Sequence, residues 1–368
     1  MSGTPSAGSK SLSSMSGRSS TDSKSLASTA AATQPLAWPP AGLQVHHATV
    51  DSFCGAYCYL AGLPAFALGG GVLYPGMAPF PSDGLRRISD APPNEPTGLM
   101  TRVLWRAPAG QGRTLYTAPE GWVIVSVTAD GTWAAAVTAP PADLLSVGLS
   151  ATKPWTLVAF DARGTVRHLA SSPGGGDALP PTADLNADHA AWAVPYKADA
   201  QPSVEDLVTG QARTVPTGLS AGSMLGSVYL EGNGDLVVTA GPPNNVDTGY
   251  RLHGGTATSV PGTPWATLAT GTALVTGKGS PSVLPPGANH PLPLVTRDFT
   301  PLPGEGASSL WMTAPGTLTR ISPAEWTSTP YMSPPGSVTA DGDGLAWSQT
   351  VKVGDHYTLD LWWTAGGA

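Results

Sequence analysis

The chain has 368 residues and a formal net charge of −7; 41% of its residues are hydrophobic and only 12% are charged, against about 25% charged in an average soluble domain. An acidic balance without any run of basic residues argues against a nucleic-acid partner, which would want a basic face. The 45 glycines and 38 prolines argue against long helices, because both residues break helical propagation and supply turns.

Residues 1–35 are Ser, Thr, Gly and Ala with scattered charge and no aromatic residue. Such a segment buries too little apolar surface to offset its ordering entropy and is read as a disordered tail. It lacks the apolar run of roughly 7 to 15 residues that a secretory signal carries. Everything from residue 36 to 368 is assigned to one domain. Next comes "HHATVDSFCGAYC" (46–58), with two histidines, an aspartate and both cysteines. Cys54 and Cys58 are a candidate disulfide if the segment turns, and unpaired thiols if it is extended, where the sulfurs would stand about 13 Å apart. Two thiols complete neither a zinc nor an iron–sulfur set, so no metal and no cofactor is assigned. From Phe53 to Ser82 there is no charge at all, and a membrane span over 56–74 is long enough to consider. Pro64 and the glycines at 55, 62, 69, 70 and 71 make it a poor helix, so buried strands with glycine turns are the preferred reading.

Hairpins follow in series. "TRVLWRAPAGQGRTLYTAP" (101–119), "PWTLVAFDARGTVRHLA" (154–170), "SVEDLVTGQARTV" (203–215) and "GYRLHGGTATSV" (249–260) each read as two strands about a short turn. "LPLVTRDFTPL" (292–302), "SSLWMTAPGTLTRIS" (308–322) and "GLAWSQT" with "HYTLDLWWT" (344–364) continue the theme more loosely. Between them one phrase recurs: "TADGTWAAAV" (128–137), "TADLNADHAAWAV" (182–194) and "TADGDGLAWSQ" (339–349), a polar turn entering a Trp within small residues. Taken as the first strand of each unit, the starts fall near 132, 190, 235, 272, 308 and 345. Four-stranded units of roughly 40 to 50 residues are the signature of β-propeller blades. The expected fold is therefore all-β: one propeller of about seven four-stranded blades, six or eight being the alternatives. On this reading the Trp phrase forms the innermost strand, reached by a turn from the preceding blade. The last unit, from Gly344, has room for two strands, so the N-terminal side from Leu43 to Leu73 must complete it.

With these phrases the stretch 120–368 resembles the bacterial TolB-type and related WD-like propellers, whose blades open on an Asp-Gly turn leading into a Trp-bearing strand. It lacks the Gly-His to Trp-Asp pairing of the true WD repeat. The resemblance implies an architecture, and propellers host many functions.

Chemistry is sparse. "GLSAG" (218–222) matches the nucleophile-elbow pattern around Ser220, but strand and turn follow where a helix is required, so no catalytic residue is assigned. "DGDG" (341–344) lacks the remaining ligands of a calcium loop and reads as a turn. Asp184, Asp188, Glu205 and Asp206 could supply paired carboxylates for glycosidic chemistry, against the ordinary reading of solvated turns. Trp362 and Trp363 alternate across a strand, one toward the core, the other a candidate binding aromatic. Charged residues look scattered along the chain. The reading that fits is a non-catalytic binding or scaffold propeller, extracellular or at the cell surface or part of a larger assembly, recognising a protein or glycan through loops on one face. The alternatives are a secreted carbohydrate-active hydrolase or lyase working at the central channel, and a propeller attached to a membrane through residues 56–74.

Overall fold

The computed structural model describes residues 35–39, 43–52, 65–79, 98–110, 112–140, 154–175, 179–231, 234–243, 245–267, 272–277, 280–285, 290–293, 300–302, 310–314, 316–322, 327–334, 336–341, 344–354 and 356–364. Cys54, Cys58, residues 56–64 of the considered membrane span and the first 34 residues lie outside them. Among the described residues no helix is long and apolar enough to cross a membrane.

Strand β1 (Val45–Ser52) comes first, followed by β2 (Phe66–Leu68), β3 (Gly71–Pro79), β4 (Gly98–Arg106) and β5 (Gly112–Thr117), which form the first sheet. The second sheet is β6 (Val123–Ala129), β7 (Trp133–Ala139), β8 (Trp155–Asp161) and β9 (Val166–Ser172). The third is β10 (Asp184–Asn186), β11 (His189–Trp192), β12 (Ser203–Asp206) and β13 (Gln211–Thr214). The fourth is β14 (Met224–Leu230), β15 (Leu236–Gly241), β16 (Thr248–His253) and β17 (Thr256–Val260). The fifth holds β18 (Thr263–Thr267), β19 (Ala273–Gly277), β20 (Ser280–Leu284) and β21 (Leu292–Pro293). The sixth holds β22 (Thr300–Leu302), β23 (Leu310–Ala314), β24 (Thr317–Ser322) and β25 (Thr327–Met332). The seventh joins β26 (Ser337–Asp341), β27 (Gly344–Val353) and β28 (His356–Thr364) to β1. Every pairing within these sheets is antiparallel and between neighbours in order.

Seven four-stranded sheets packed in sequence make a β-propeller, the architecture expected. First strands meet first strands around the ring: β2 contacts β6 and β26, β10 contacts β6 and β14, and β14 contacts β18. Last strands are the most exposed, β13 along all four residues. The first strand of each sheet is thus innermost and the fourth outermost.

Among the described residues the second strands β7, β11 and β15 are buried on both faces. In β7, Ala134 and Ala136 pack with the first sheet's Leu68, Leu73 and Val103, while Trp133, Ala135 and Val137 pack with the third sheet's Leu185, Ala190 and Trp192. Alternation sends successive side chains to opposite neighbours, so a strand held between two close sheets needs small residues punctuated by one large one. β11 repeats this: Ala190 and Trp192 face back, Ala191 and Ala193 forward to Val228 and Val238. Trp133 and Trp192 therefore share one junction.

Three details correct the sequence reading. The Trp phrase lies on the second strand, and its Asp130–Gly131 turn joins two strands of one sheet. Residues 292–302 are not a hairpin, since β21 closes the fifth sheet and β22 opens the sixth. Closure takes three C-terminal strands and one N-terminal strand, β1 pairing with β28 from Val45–Thr364 to Ser52–Tyr357. Trp363 is buried at this seam, its Nε1–H donating to Gly70 O at 3.3 Å.

Candidate functional site

In a four-stranded meander the turn from first to second strand and the turn from third to fourth lie at the same end. At that end most charged side chains of the second to fourth sheets gather, so they are not scattered as the linear chain suggests. Asp161, at the tip of β8, accepts from the backbone N–H of Arg163 and Thr165 at 2.9 and 2.8 Å and from Arg163 Nε at 2.8 Å. Burial pushes this carboxyl up, but the Thr165 and Arg163 donors outweigh it and hold it below the usual carboxylate range. On the third sheet Asp206 accepts from the N–H of Val208 and Thr209 at 2.9 and 2.8 Å. The Thr209 bond comes first among the causes that lower its pKa. On the fourth, Arg251 Nε donates to both oxygens of Glu231 at 2.9 and 3.1 Å, and His253 Nδ1 stands 2.8 Å from Asp235.

Arg167 of β9 ties two of these turns together. Its Nε and Nη2 donate to the carbonyls of Leu207 and Val208, at 3.0 and 2.7 Å, across the junction from second to third sheet. Gly210 makes room for it: φ is +75°, and a Cβ there would stand 3.2 Å from Arg167 Nη1. Only glycine meets both demands without strain. The turn so fixed presents Val208, 58% exposed; Val166, paired with Phe160 on the face of β9 turned toward the first sheet, is exposed on the other side. One large apolar side chain is thereby held open to solvent, beside the Asp206 carboxylate that accepts from its N–H.

Toward the channel the inner turns are linked in series. Gly69 N–H donates to Gly131 O at 2.8 Å, joining the first sheet to the second. Asp130 Oδ1 accepts from Thr132 and Trp133 N–H at 2.8 and 2.7 Å, and the nearby Ala187 N–H of the third sheet favours its ionised form. Asp184 accepts from Leu230 N–H of the fourth. Both carboxyls are closed off from water, and burial raises Asp130 to about 6 and Asp184 to about 8, the latter raised further by the charge of Asp130. Asp130 Oδ2 is buried without a hydrogen-bond partner among the described residues.

Of the acidic residues singled out in the sequence, Asp184 reaches the fourth sheet, whereas Glu205 faces back to Arg167 and His168 of the second; burial raises Glu205, and Arg167 first, then His168, oppose the rise. They do not form a carboxylate pair. An interacting pair, Asp130 with Asp184, joins positions 54 apart that meet only through neighbouring sheets. Ser220 lies exposed on a turn closed by Ser223 N–H to Ser220 O at 3.1 Å, between β13 and β14, without the helix an elbow requires. His46 and His47 lie against Trp363 and Trp362, with ring centroids 5.4 and 5.0 Å apart. Trp362, half-buried, also stacks on Trp347 at 6.2 Å. Among the described residues no group of three or more His, Cys, Asp or Glu is placed to hold a metal ion. A cavity of about 210 Å³ between the second and third sheets is lined by Ser126, Thr128, Ala135, Val137, Leu157 and Thr182 among others.

No protein-family model matches the chain, and no curated protein sequence matches it. Among solved structures it is similar to a puromycin hydrolase, at 15% identity and a TM-score of 0.43 over 84% of this chain and 61% of that one. It is also similar to TolB from Acinetobacter baumannii, at 12% identity and a TM-score of 0.34 over 71% of this chain and 59% of that one. A third is YCF48 from Cyanidioschyzon merolae, at 12% identity and a TM-score of 0.40 over 74% and 90% of the two chains. The chain spans about three fifths of the length of the first two.

Proposed function

We propose that this chain is a non-catalytic binding propeller that docks a protein partner on the turn end of its second and third sheets. The observation that carries the reading is Val208, a large apolar side chain held open on a turn that the Arg167 clamp and the Asp206 carboxylate fix. A preorganised apolar centre with a polar rim is the usual anatomy of a recognition surface, and rigid turns on a closed scaffold suit recognition. A carbohydrate-active hydrolase or lyase would rest on Asp130 and Asp184, and these are 7% and 5% exposed, too enclosed to meet a sugar ring. An extracellular or cell-surface setting belongs to the same proposal.

The test is affinity capture from the source cells with three full-length baits. They are the natural chain, Val208→Asp, and Tyr196→Ser as a control at an exposed residue of the second-to-third-strand connection of the third sheet. Proteins held by the natural chain and by Tyr196→Ser but lost with Val208→Asp support the reading. Equal capture by all three refutes it. Hydrolysis of any screened ester, peptide or glycoside that disappears in Ser220→Ala would refute the non-catalytic half.

A further inference from the structure

Outside the seven sheets one short segment does something the blade pattern does not require. Residues 35–39, Pro-Leu-Ala-Trp-Pro, run alongside β25, the outermost strand of the sixth sheet, as a parallel neighbour. Leu36 N–H donates to Pro330 O at 3.1 Å, and Met332 N–H donates to Leu36 O at 2.8 Å. Two residues further, Trp38 enters a cleft walled by Trp311 of β23, Tyr331 of β25 and Trp347 of β27. Its ring meets theirs edge-on, at centroid distances of 6.4, 6.1 and 5.3 Å and angles of 83°, 79° and 75°. Arg320 lies over the outer wall, 5.8 Å from the Trp311 ring.

We propose that this cleft between the sixth and seventh sheets is a binding site for a proline-flanked tryptophan segment of another polypeptide, with residues 35–39 seated in it as an intramolecular ligand. Edge-strand addition with one side-chain anchor is a standard mode of peptide capture: the backbone bonds give affinity and the pocket gives specificity. Three observations say that the occupant is exchangeable. Its strand pairing is one residue long, two hydrogen bonds against eight paired positions for β1. The indole N–H of Trp311 in the wall, like that of Trp38 itself, is buried without an acceptor among the described residues, so the resident segment leaves a wall donor that a ligand with a suitably placed carbonyl would satisfy. Leu36 and Met332, side by side, remain 54% and 56% exposed, an apolar margin over which a longer ligand would extend. Proline on either side of the tryptophan lowers the entropy lost on docking.

A tethered ligand competes at an effective concentration in the millimolar range, so the natural chain should resist an added peptide. The experiment titrates a fluorescein-labelled peptide of residues 34–40, Gln-Pro-Leu-Ala-Trp-Pro-Pro, into the full chain and into full-length Trp38→Ala, read by anisotropy. Binding at least tenfold tighter to Trp38→Ala than to the natural chain, and absent for a peptide with alanine in place of its tryptophan, is the expected result. No binding to a Trp38→Ala chain that still unfolds cooperatively, or equal binding to both chains, overturns the proposal. If Trp38→Ala does not fold, Leu36→Pro removes one of the two backbone bonds with the aromatic walls intact, and the same comparison is made with it. Loss of partner capture in Val208→Asp has no bearing on this outcome, because the two surfaces lie on different sheets.

Discussion

Replacing Asp184 by asparagine should make this protein more stable, and more so the higher the pH. Asp184 is 5% exposed and titrates at about 8, against 3.8 for the unperturbed group, with burial as the leading cause. Asp130 beside it is raised to about 6 for the same reason. A carboxyl whose folded value lies above its unfolded value binds protons preferentially in the folded chain. The resulting penalty is absent below about pH 4, grows as pH rises, and is complete only above the folded value. At 1.36 kcal/mol per pH unit, the span from 3.8 to about 8 bounds the cost at about 6 kcal/mol. Asp184→Asn keeps an amide oxygen to accept the Leu230 N–H and removes both the buried charge and its repulsion of Asp130. A gain of at least about 2 kcal/mol at pH 8, shrinking toward zero at pH 4, is expected; with a urea slope of about 2–3 kcal/mol/M it moves the midpoint by roughly 1 M. Urea unfolding followed by tryptophan fluorescence at pH 4, 6 and 8 gives the curve. A variant less stable than the natural chain at pH 8, or a gain that does not change with pH, would refute the reasoning.

Two further substitutions probe the seam and the clamp. Trp363→Ala empties a fully buried site between the seventh and first sheets and frees the Gly70 carbonyl. It should cost about 3–5 kcal/mol, and a shift in the thermal midpoint equivalent to less than about 1 kcal/mol would show that the seam repacks or does not hold the ring. Gly210→Ala forces a side chain into a left-handed turn and against Arg167. A loss of about 1 kcal/mol or more in denaturant unfolding is expected, and an unchanged midpoint would mean that the turn relaxes freely.

How much of this was legible in the chain is best judged at the recurring phrase. Its small residues around a tryptophan announced a strand buried on both faces, and its recurrence announced the blades. The register was not legible. Asp130 follows the last residue of β6, Asp184 begins β10, and Asp341 ends β26, so the same three letters fall at three positions of the first strand. Sequence spacing alone assigned the phrase to the innermost strand because β6, with its mixed burial and its bulge between Ile124 and Ser126, reads as a connection. The third-to-fourth-strand hairpins at 154–170 and 203–215 are legible in the sequence, and Gly164 and Gly210, both with positive φ, mark their turns. The clamp was not: Arg167 and Leu207 are 40 residues apart, and nothing local distinguishes that arginine from any other. The aromatic cleft draws on four strands or segments, and of its walls only Trp347, in the recurring phrase, carries a local signal in the sequence.

The pairing of β1 with β28 has a consequence for how the chain comes into being. Thr49 and Asp360, hydrogen-bonded at 2.6 Å across the seam, are 311 residues apart. At translation rates of about 5–20 residues per second, β1 waits roughly 15 to 60 s on the ribosome before its partner strand exists. During that wait an eight-residue strand with Val, His and Ala in its first half has an open edge and no legitimate neighbour, the condition under which strands pair with the wrong chain. A circular permutant opened between two other sheets, with β1 spliced directly after β28, would make the seam a local hairpin, and synthesis would no longer leave an orphaned strand to be guarded.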